Sequence, residues 1–165
     1  MTVAAPALLI LAALLAAALT LARGRLVAVT VRGYSMSPTL MPGDRILLLR
    51  GRRRVATGRV AVVVAPHPEH GWRTPTDAAP ASYDASQSRE ASDGWYVKRV
   101  VAVAGEPVPH WAGRCPGTHV PPGMLVLLGE QPGSRDSKQL GYCPEDKLIG
   151  TVLFRLRAAA ARNTP

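Results

Sequence analysis

The hydrophobic positions change period once along the chain, and that change divides it. From Val3 to Ala22 the sequence VAAPALLILAALLAAALTLA runs twenty residues without a charge. As an α-helix, at about 1.5 Å per residue, such a run spans about 30 Å, the thickness of a bilayer core. After Arg25 the apolar runs become short, rich in β-branched and aliphatic residues and bounded by Pro, Gly and Asp. They are LVAVTV (Leu26–Val31), RILLLR (Arg45–Arg50) after the Pro42-Gly43-Asp44 turn, and VAVVVA (Val60–Ala65), closed by Pro66. WYVKRVVAVAG (Trp95–Gly105), GMLVLLG (Gly123–Gly129) and LIGTVLFRLR (Leu148–Arg157) follow. This pattern predicts six or seven short strands and no long helix beyond the first segment. The fold class is therefore mainly β, a barrel or a pair of small coiled sheets behind one N-terminal transmembrane helix. The expected organisation is an anchor at residues 1–25, a β-rich domain at 26–157 and a frayed tail at 158–165. Residues 66–94, rich in Pro, Ser, Ala and Asp without periodicity, are expected to form an exposed loop within that domain.

Two readings compete with a retained anchor: a cleaved leader and a buried core helix. A secretory leader carries a basic segment before a shorter apolar centre, whereas no Lys or Arg precedes this run. Retention is favoured on that ground. Orientation is in conflict, because Arg23 and Arg25 follow the apolar run and the positive-inside rule would leave the rest of the chain in the cytoplasm.

Composition adds two constraints. Hydrophobic residues make up 47% of the chain with a single Phe, so the core has to be built from Ala, Val and Leu. The formal net charge of +9 comes mainly from arginine, and Arg23, Arg25, Arg50, Arg52, Arg53, Arg54 and Arg59 crowd the N-terminal part. Charge alone admits nucleic acid, anionic lipid or a solvated basic face with no partner. Cys115 and Cys143 have no CxxC spacing; they can close one disulfide loop in an oxidising compartment and remain thiols in a reducing one. Adding His110 and His119 gives no standard zinc spacing, and Pro68 forbids the helix that would align His67 with His70, so no metal site is expected.

Candidate chemistry centres on Ser35, within RGYSMSPTLMPGDR (Arg32–Arg45). A serine hydroxyl is a poor nucleophile until a base lies within hydrogen-bond reach. The four histidines all lie in Pro/Gly-rich sequence, which gives no Ser-His-Asp arrangement. Of the three lysines, Lys98 alone falls inside an apolar strand, where alternation places Tyr96, Lys98 and Val100 on one face. A strand lysine either snorkels to water or is buried. Burial would lower its pKa and supply the neutral amine that a general base requires.

At these residues the chain resembles the type I signal peptidases, membrane-bound Ser/Lys proteases. GYSMSPTLMPGD resembles their nucleophile motif, GRVAVVVAP the following strand with Arg59 in place of the usual acid, and YVKRVVAVAGEPV the general-base segment. GEQPGSRDSKQLG resembles the last box, with Glu130 and Gln131 in place of Asp and Asn and one residue fewer before Ser134. The resemblance covers Arg32 to Gly150. It implies that Ser35 attacks the scissile carbonyl and that Lys98 is the base. It further implies that Ser134 orients the lysine and that Asp136 and Ser137 brace it, with Lys138 where arginine is usual. The Ser35 N–H is expected to be one oxyanion donor. Gly33 occupies the position that carries a second, hydroxyl donor in some members, and Met36 and Pro38 shape the pocket wall and the turn.

No cofactor is implied. The implied activity is removal of signal peptides from exported preproteins with small residues at −1 and −3, through an acyl-enzyme, at a single-pass cell-membrane protein with its catalytic domain on the outer side. The lipid bilayer then becomes a partner, with anionic headgroups near the arginines, and nucleic acid drops out. An outward domain also favours a Cys115–Cys143 disulfide. The alternatives are a maturation protease of the same clan dedicated to one precursor, and an inactive membrane-bound accessory module.

Overall fold

A computed structural model of the chain describes residues 9–11, 13, 24–51, 55–66, 71–72 and 94–157. Its strands are β1 (Leu26–Thr30), β2 (Arg45–Arg50), β3 (Val60–Val64), β4 (Trp95–Val103), β5 (Met124–Leu128), β6 (Cys143–Pro144) and β7 (Leu148–Arg157). Between β5 and β6 lies one short helix, α1 (Ser137–Leu140), and a 3₁₀ turn (Glu145–Lys147) precedes β7. All seven strands form one antiparallel sheet in the order β1-β2-β7-β3-β4-β5-β6. β7 returns from the C-terminal side to insert between β2 and β3, which joins the two halves into a single sheet. The described residues therefore form an open sheet edged by β1 and β6, where the sequence pattern had suggested a barrel or two sheets. Register shifts in β2–β7, β3–β7 and β4–β5 bend it.

Burial follows the strand periodicity. In β2, Ile46 and Leu48 are buried while Leu47 and Leu49 are half-buried on the opposite face. Ala61, Val62 and Val63 of β3 and Leu125, Val126 and Leu127 of β5 are buried on both faces, as befits strands paired on both edges. One cluster gathers Ala61, Val63, Val100, Leu125 and Leu127; another gathers Val31, Met36, Leu40, Ile46, Leu48 and Val62. The core is aliphatic, as composition required. Trp72 is the large exception: it is buried in the first cluster and donates its indole N–H to Val64 O at 3.1 Å.

Several expectations fall on residues that are not described. The anchor at 1–25 lies mostly outside them; residues 9–11 and 13 are helical, and Leu9, Ile10 and Leu11 are exposed. Among the described residues no helix is long and apolar enough to cross a membrane. Most of the 66–94 segment and the tail at 158–165 also lie outside the described residues. Cys115 and Cys143 are both buried free thiols rather than a disulfide. They belong to different clusters, Cys115 with Ala102 and Val126, Cys143 with Val63 and Leu125.

Gly150 marks the tightest contact in the sheet. A Cβ there would meet Leu49 O at 2.3 Å and Arg50 Cα at 3.0 Å, both backbone atoms that cannot swing away. Gly150→Ala is expected to lower the stability of the fold by about 1–3 kcal/mol or more through overpacking at the β2–β7 seam. Equilibrium urea unfolding against wild type measures it; an unchanged midpoint would contradict the packing described for this seam.

Candidate active site

The hairpin between β1 and β2 carries Ser35. At its neck Val31 N–H donates to Asp44 O at 2.8 Å and Gly43 N–H to Val31 O at 2.9 Å. Asp44 is buried, and its Oδ2 accepts from Met41 N–H at 2.9 Å and from Arg155 at 3.2 Å on β7. Within the loop, Ser37 N–H donates to Tyr34 O and Leu40 N–H to Met36 O, making a compact turn across a cis Ser37–Pro38 bond. Met36 and Leu40 are the apolar pegs that seat this turn in the core. Gly33 takes φ +77°, a left-handed conformation that glycine accepts without strain, so the chain can bend sharply two residues before Ser35.

The far side of the turn is held by the segment after β5. Ser35 O accepts Glu130 N–H at 2.7 Å and Gln131 N–H at 3.3 Å. The Gln131 side chain donates to Ser37 O at 3.1 Å. Glu130 spreads its carboxylate between two elements, Oε2 taking Thr39 N–H at 3.4 Å and Oε1 pairing with the Arg99 guanidinium. Burial raises the Glu130 pKa, but the hydrogen bonds from Thr39 and Arg99 and the arginine charge outweigh it and hold the carboxyl below its usual value. Backbone N–H groups thus grip Ser35 irrespective of which side chains stand at 130 and 131. Those side chains add ties to Thr39, Ser37 and Arg99.

Lys98 comes from β4, opposite Ala61 of β3. It is 2% exposed, its Nζ donates to Ser134 Oγ at 2.5 Å, and the Tyr96 ring centroid lies 5.2 Å from the nitrogen. Burial pushes its pKa down from 10.5 to about 8; the negative charge of Asp136 opposes this and the positive charge of Lys138 adds to it. Ser134, Asp136 and Ser137 are all buried. Asp136 caps α1, accepting Lys138 N–H at 3.0 Å, while Gln139 returns a side-chain acceptor to Asp136 N–H. Asp136 Oδ2 also accepts Gly129 N–H at 3.0 Å, and Ser137 Oγ accepts Leu127 N–H at 2.9 Å, so the loop is stitched back onto the end of β5. Lys138 lies 3.5 Å from Asp136 Oδ2, a single ammonium contact where arginine would offer a planar fork.

These pieces surround one cavity of about 800 Å³. Ser35, Lys98 and Ser134 line it together with Gly33 and Met36, and Val29, Val31 and Val62 give it an apolar wall. Asp136 and Ser137 are outside the lining, behind Ser134, and Pro38 is exposed in the turn outside it as well. Chemically the arrangement offers a hydroxyl, a buried amine whose pKa is pushed down to about 8, and a hydroxyl that fixes the amine. Among the described residues no three His, Cys, Asp or Glu side chains converge as metal ligands. Sequence reasoning missed Gly129 and the Arg99–Glu130 pair. A Cβ on Gly129 would lie 1.9 Å from Ser134 Oγ and 3.0 Å from Ser35 O, and Arg99 faces Leu128 across β4–β5, next to Glu130 in space. A charged pair flanking both motifs was the available signal, but it is readable only once the strand pairing is known. Arg59, where an acid is usual, donates to Val152 O at 3.2 Å and ties the start of β3 to β7.

The family profile described as "Signal peptidase, peptidase S26" matches residues 3–115. The chain is also similar to the protein named "Probable signal peptidase I-1" of Synechocystis sp., with 26% identity over 147 residues covering 76% of this chain and 68% of the other.

Two results test the electrostatics and the packing of this site. Because the folded-state pKa of Lys98 lies below its unfolded value, the lysine destabilises the fold fully below pH 8, and that penalty is relieved as pH rises from about 8 to 10.5. The shift corresponds to about 3 kcal/mol, and leaving Ser134 without its donor returns about 1–2 kcal/mol of that. Lys98→Met is therefore expected to be more stable than wild type at pH 7 by about 1–2 kcal/mol, with the gap narrowing above pH 8. Urea unfolding at a series of pH values checks this; a wild type equal to the variant at every pH would refute the buried-amine assignment. Gly129→Ala is expected to lose both activity and stability, since the added methyl would lie only 2.4 Å from Ser134 Cβ, an atom that no rotamer change displaces. Full activity in that variant would contradict the described contact.

Proposed function

Because the chain belongs to the signal peptidase S26 family and is a serine peptidase, a hydrolase acting on preproteins, we propose that Ser35 and Lys98 form its catalytic dyad. The observation that carries this reading is the burial of the Lys98 amine against Ser134 in the cavity that Ser35 lines. In its neutral form Lys98 takes the Ser35 hydroxyl proton as the oxygen attacks the scissile carbonyl. The tetrahedral oxyanion is met by the Ser35 N–H. Collapse breaks the peptide bond, the leaving nitrogen takes the proton from the Lys98 ammonium, and an ester links Ser35 to the signal peptide. Lys98, neutral again, deprotonates a water that attacks the ester; the second collapse returns the proton to Ser35 and frees the carboxylate product. Ser134 holds Nζ in one direction throughout, and Asp136 and Ser137 tie the segment that carries Ser134 to the end of β5.

The substrate binds extended. β1 is an edge strand, and Val29, Thr30 and Val31 at its end line the cavity, so a peptide can add to this edge through main-chain hydrogen bonds. The valine and methionine wall suits small residues at −1 and −3. Residues 1–25 are the membrane anchor in this reading and hold the domain against the outer face of the bilayer. Support comes from Leu26 at the start of β1 and from Phe154 and Leu156 on β7, two strands across the sheet, which are all exposed. An intact Ser35, Lys98 and Ser134 set in one cavity favours an active peptidase over an inactive accessory module.

The test is cleavage of a precursor with an Ala-x-Ala site. Ser35→Ala and Lys98→Ala are each expected to abolish cleavage while keeping the β-sheet circular dichroism of wild type. With the lysine pKa at about 8, kcat/KM should rise about tenfold from pH 7 to pH 9 and then level off. A lysine of ordinary pKa would instead give a rate still climbing about tenfold per pH unit at pH 9. Either variant cleaving at the wild-type rate would overturn the dyad.

A further inference from the structure

Two tryptophans near the β3–β4 pair are held in different ways. Trp72 is fully buried, and its indole N–H donates to Val64 O at 3.1 Å. Trp95 stands opposite Val64 in the β3–β4 register and is half-buried, and its indole N–H is shielded from water with no acceptor among the described residues. A shielded donor without a partner is unfavourable, and a buried tryptophan usually finds one, so folding by itself gives no reason for an N–H at this place. Trp95 also lines the cavity that holds Ser35, Lys98 and Ser134. The ring is therefore kept in place by apolar packing alone, at the wall of the site.

Strand geometry says which part of a substrate meets it. Trp95 and Val97 share one face of β4 by alternation, and both pack against the cluster of Val31, Met36 and Val62 that walls the cavity. Among the described residues β4 pairs with β5 only from Arg99 on, so no strand takes the outer edge of Trp95–Lys98. Trp95 precedes Lys98 by three residues, about 10 Å at about 3.3 Å per residue. An extended peptide with its −1 residue at Ser35 and Lys98 covers the same distance by −4. Its side chains alternate as well, so those at −1, −3 and −5 face the apolar wall, and −5 is the first of them beyond the two small-residue positions. Accepting the peptidase reading above, we infer that Trp95 is a specificity-determining residue: its indole forms a subsite for a large apolar side chain at −5 of the preprotein, and its N–H takes a main-chain carbonyl of the bound peptide as acceptor. A small turn of the ring, which no hydrogen bond within the described residues opposes, brings the N–H to the peptide. The side chain at −5 is only partly covered in an open cavity, so its gain over a small polar residue is about five- to tenfold.

The experiment uses the full chain in detergent and peptides bearing one Ala-x-Ala site, with Leu, Phe, Ala or Ser at −5 and no other change. Wild type is expected to favour the Leu and Phe peptides over the Ser peptide by about five- to tenfold in kcat/KM, mainly through KM. The ratio should approach one in Trp95→Ala. Trp95→Phe, which keeps an apolar ring without the donor, should keep the ratio and lower kcat/KM for every peptide. A tryptophan with a structural role alone would lower all rates together in Trp95→Ala and leave the ratio as in wild type; that result overturns the inference, as does a wild type indifferent to −5. The N–H is read separately, with the ring unaltered, in Ser35→Ala saturated with the uncleaved Leu peptide. There the Trp95 indole proton resonance, assigned by its loss in Trp95→Phe, should move downfield, and an unmoved resonance overturns the assigned hydrogen bond. A wild type that cleaves none of the peptides sinks the peptidase reading itself, a different result from equal cleavage of all.

Discussion

Taking the Lys98 amine out of water is the constraint on which the rest of the site depends. An ammonium loses several kcal/mol of hydration in such a place, so the group survives only by giving up its proton easily and by finding a fixed partner. β4 supplies the depth, since it is flanked on both edges by β3 and β5. Ala61 is its partner on one edge, and Ser134 closes the other side with a 2.5 Å hydrogen bond. The same burial that costs stability lets the amine lose its proton at a lower pH, in the cavity that Ser35 also lines.

Holding Ser35 is a separate problem, solved largely by backbone. Its carbonyl is gripped by two N–H groups of the segment that carries Ser134 two residues on from Pro132, and its turn is seated by Met36 and Leu40. Gly129 is the point where these two tasks meet. Only a residue without a Cβ lets Ser134 pack against the segment that binds Ser35 O. The Arg99–Glu130 pair adds a second link, running from the residue after Lys98 to the end of β5 and on to Thr39. The proposed nucleophile, base and orienting serine therefore come from the β1–β2 hairpin, the interior of β4 and the segment after β5, and that segment fastens them to one another.

Much of this was legible in the sequence. Period-2 alternation placed Lys98 with Tyr96 and Val100, and the structure has Val100 buried and the Tyr96 ring beside Nζ. The strand runs at 45–50 and 148–157 match β2 and β7 residue for residue, because Pro, Gly and charged residues bound them sharply. What could not be read was pairing. Nothing local says that β7 inserts between β2 and β3, and a chain of short strands suits a barrel, two sheets or one open sheet equally well. β6 and α1 were too short for any periodicity to show, although Asp136 and Gln139 already spelled a capping box. Glu130 and Gln131 looked like damage to a motif when compared by residue type. In space their backbone N–H groups grip Ser35 O, and the Gln131 side chain reaches Ser37 O in the same turn.

The central claim is that Lys98 is a buried base at working pH, and a direct titration of that one amine tests it. Labelling lysine side chains for NMR and following the Lys98 Nζ resonance against pH, assigned by its loss in Lys98→Met, isolates it from Lys138 and Lys147. The account predicts a midpoint near pH 8, more than two pH units below an ordinary lysine. A midpoint above pH 10 would show the ammonium to be solvated and would contradict the account.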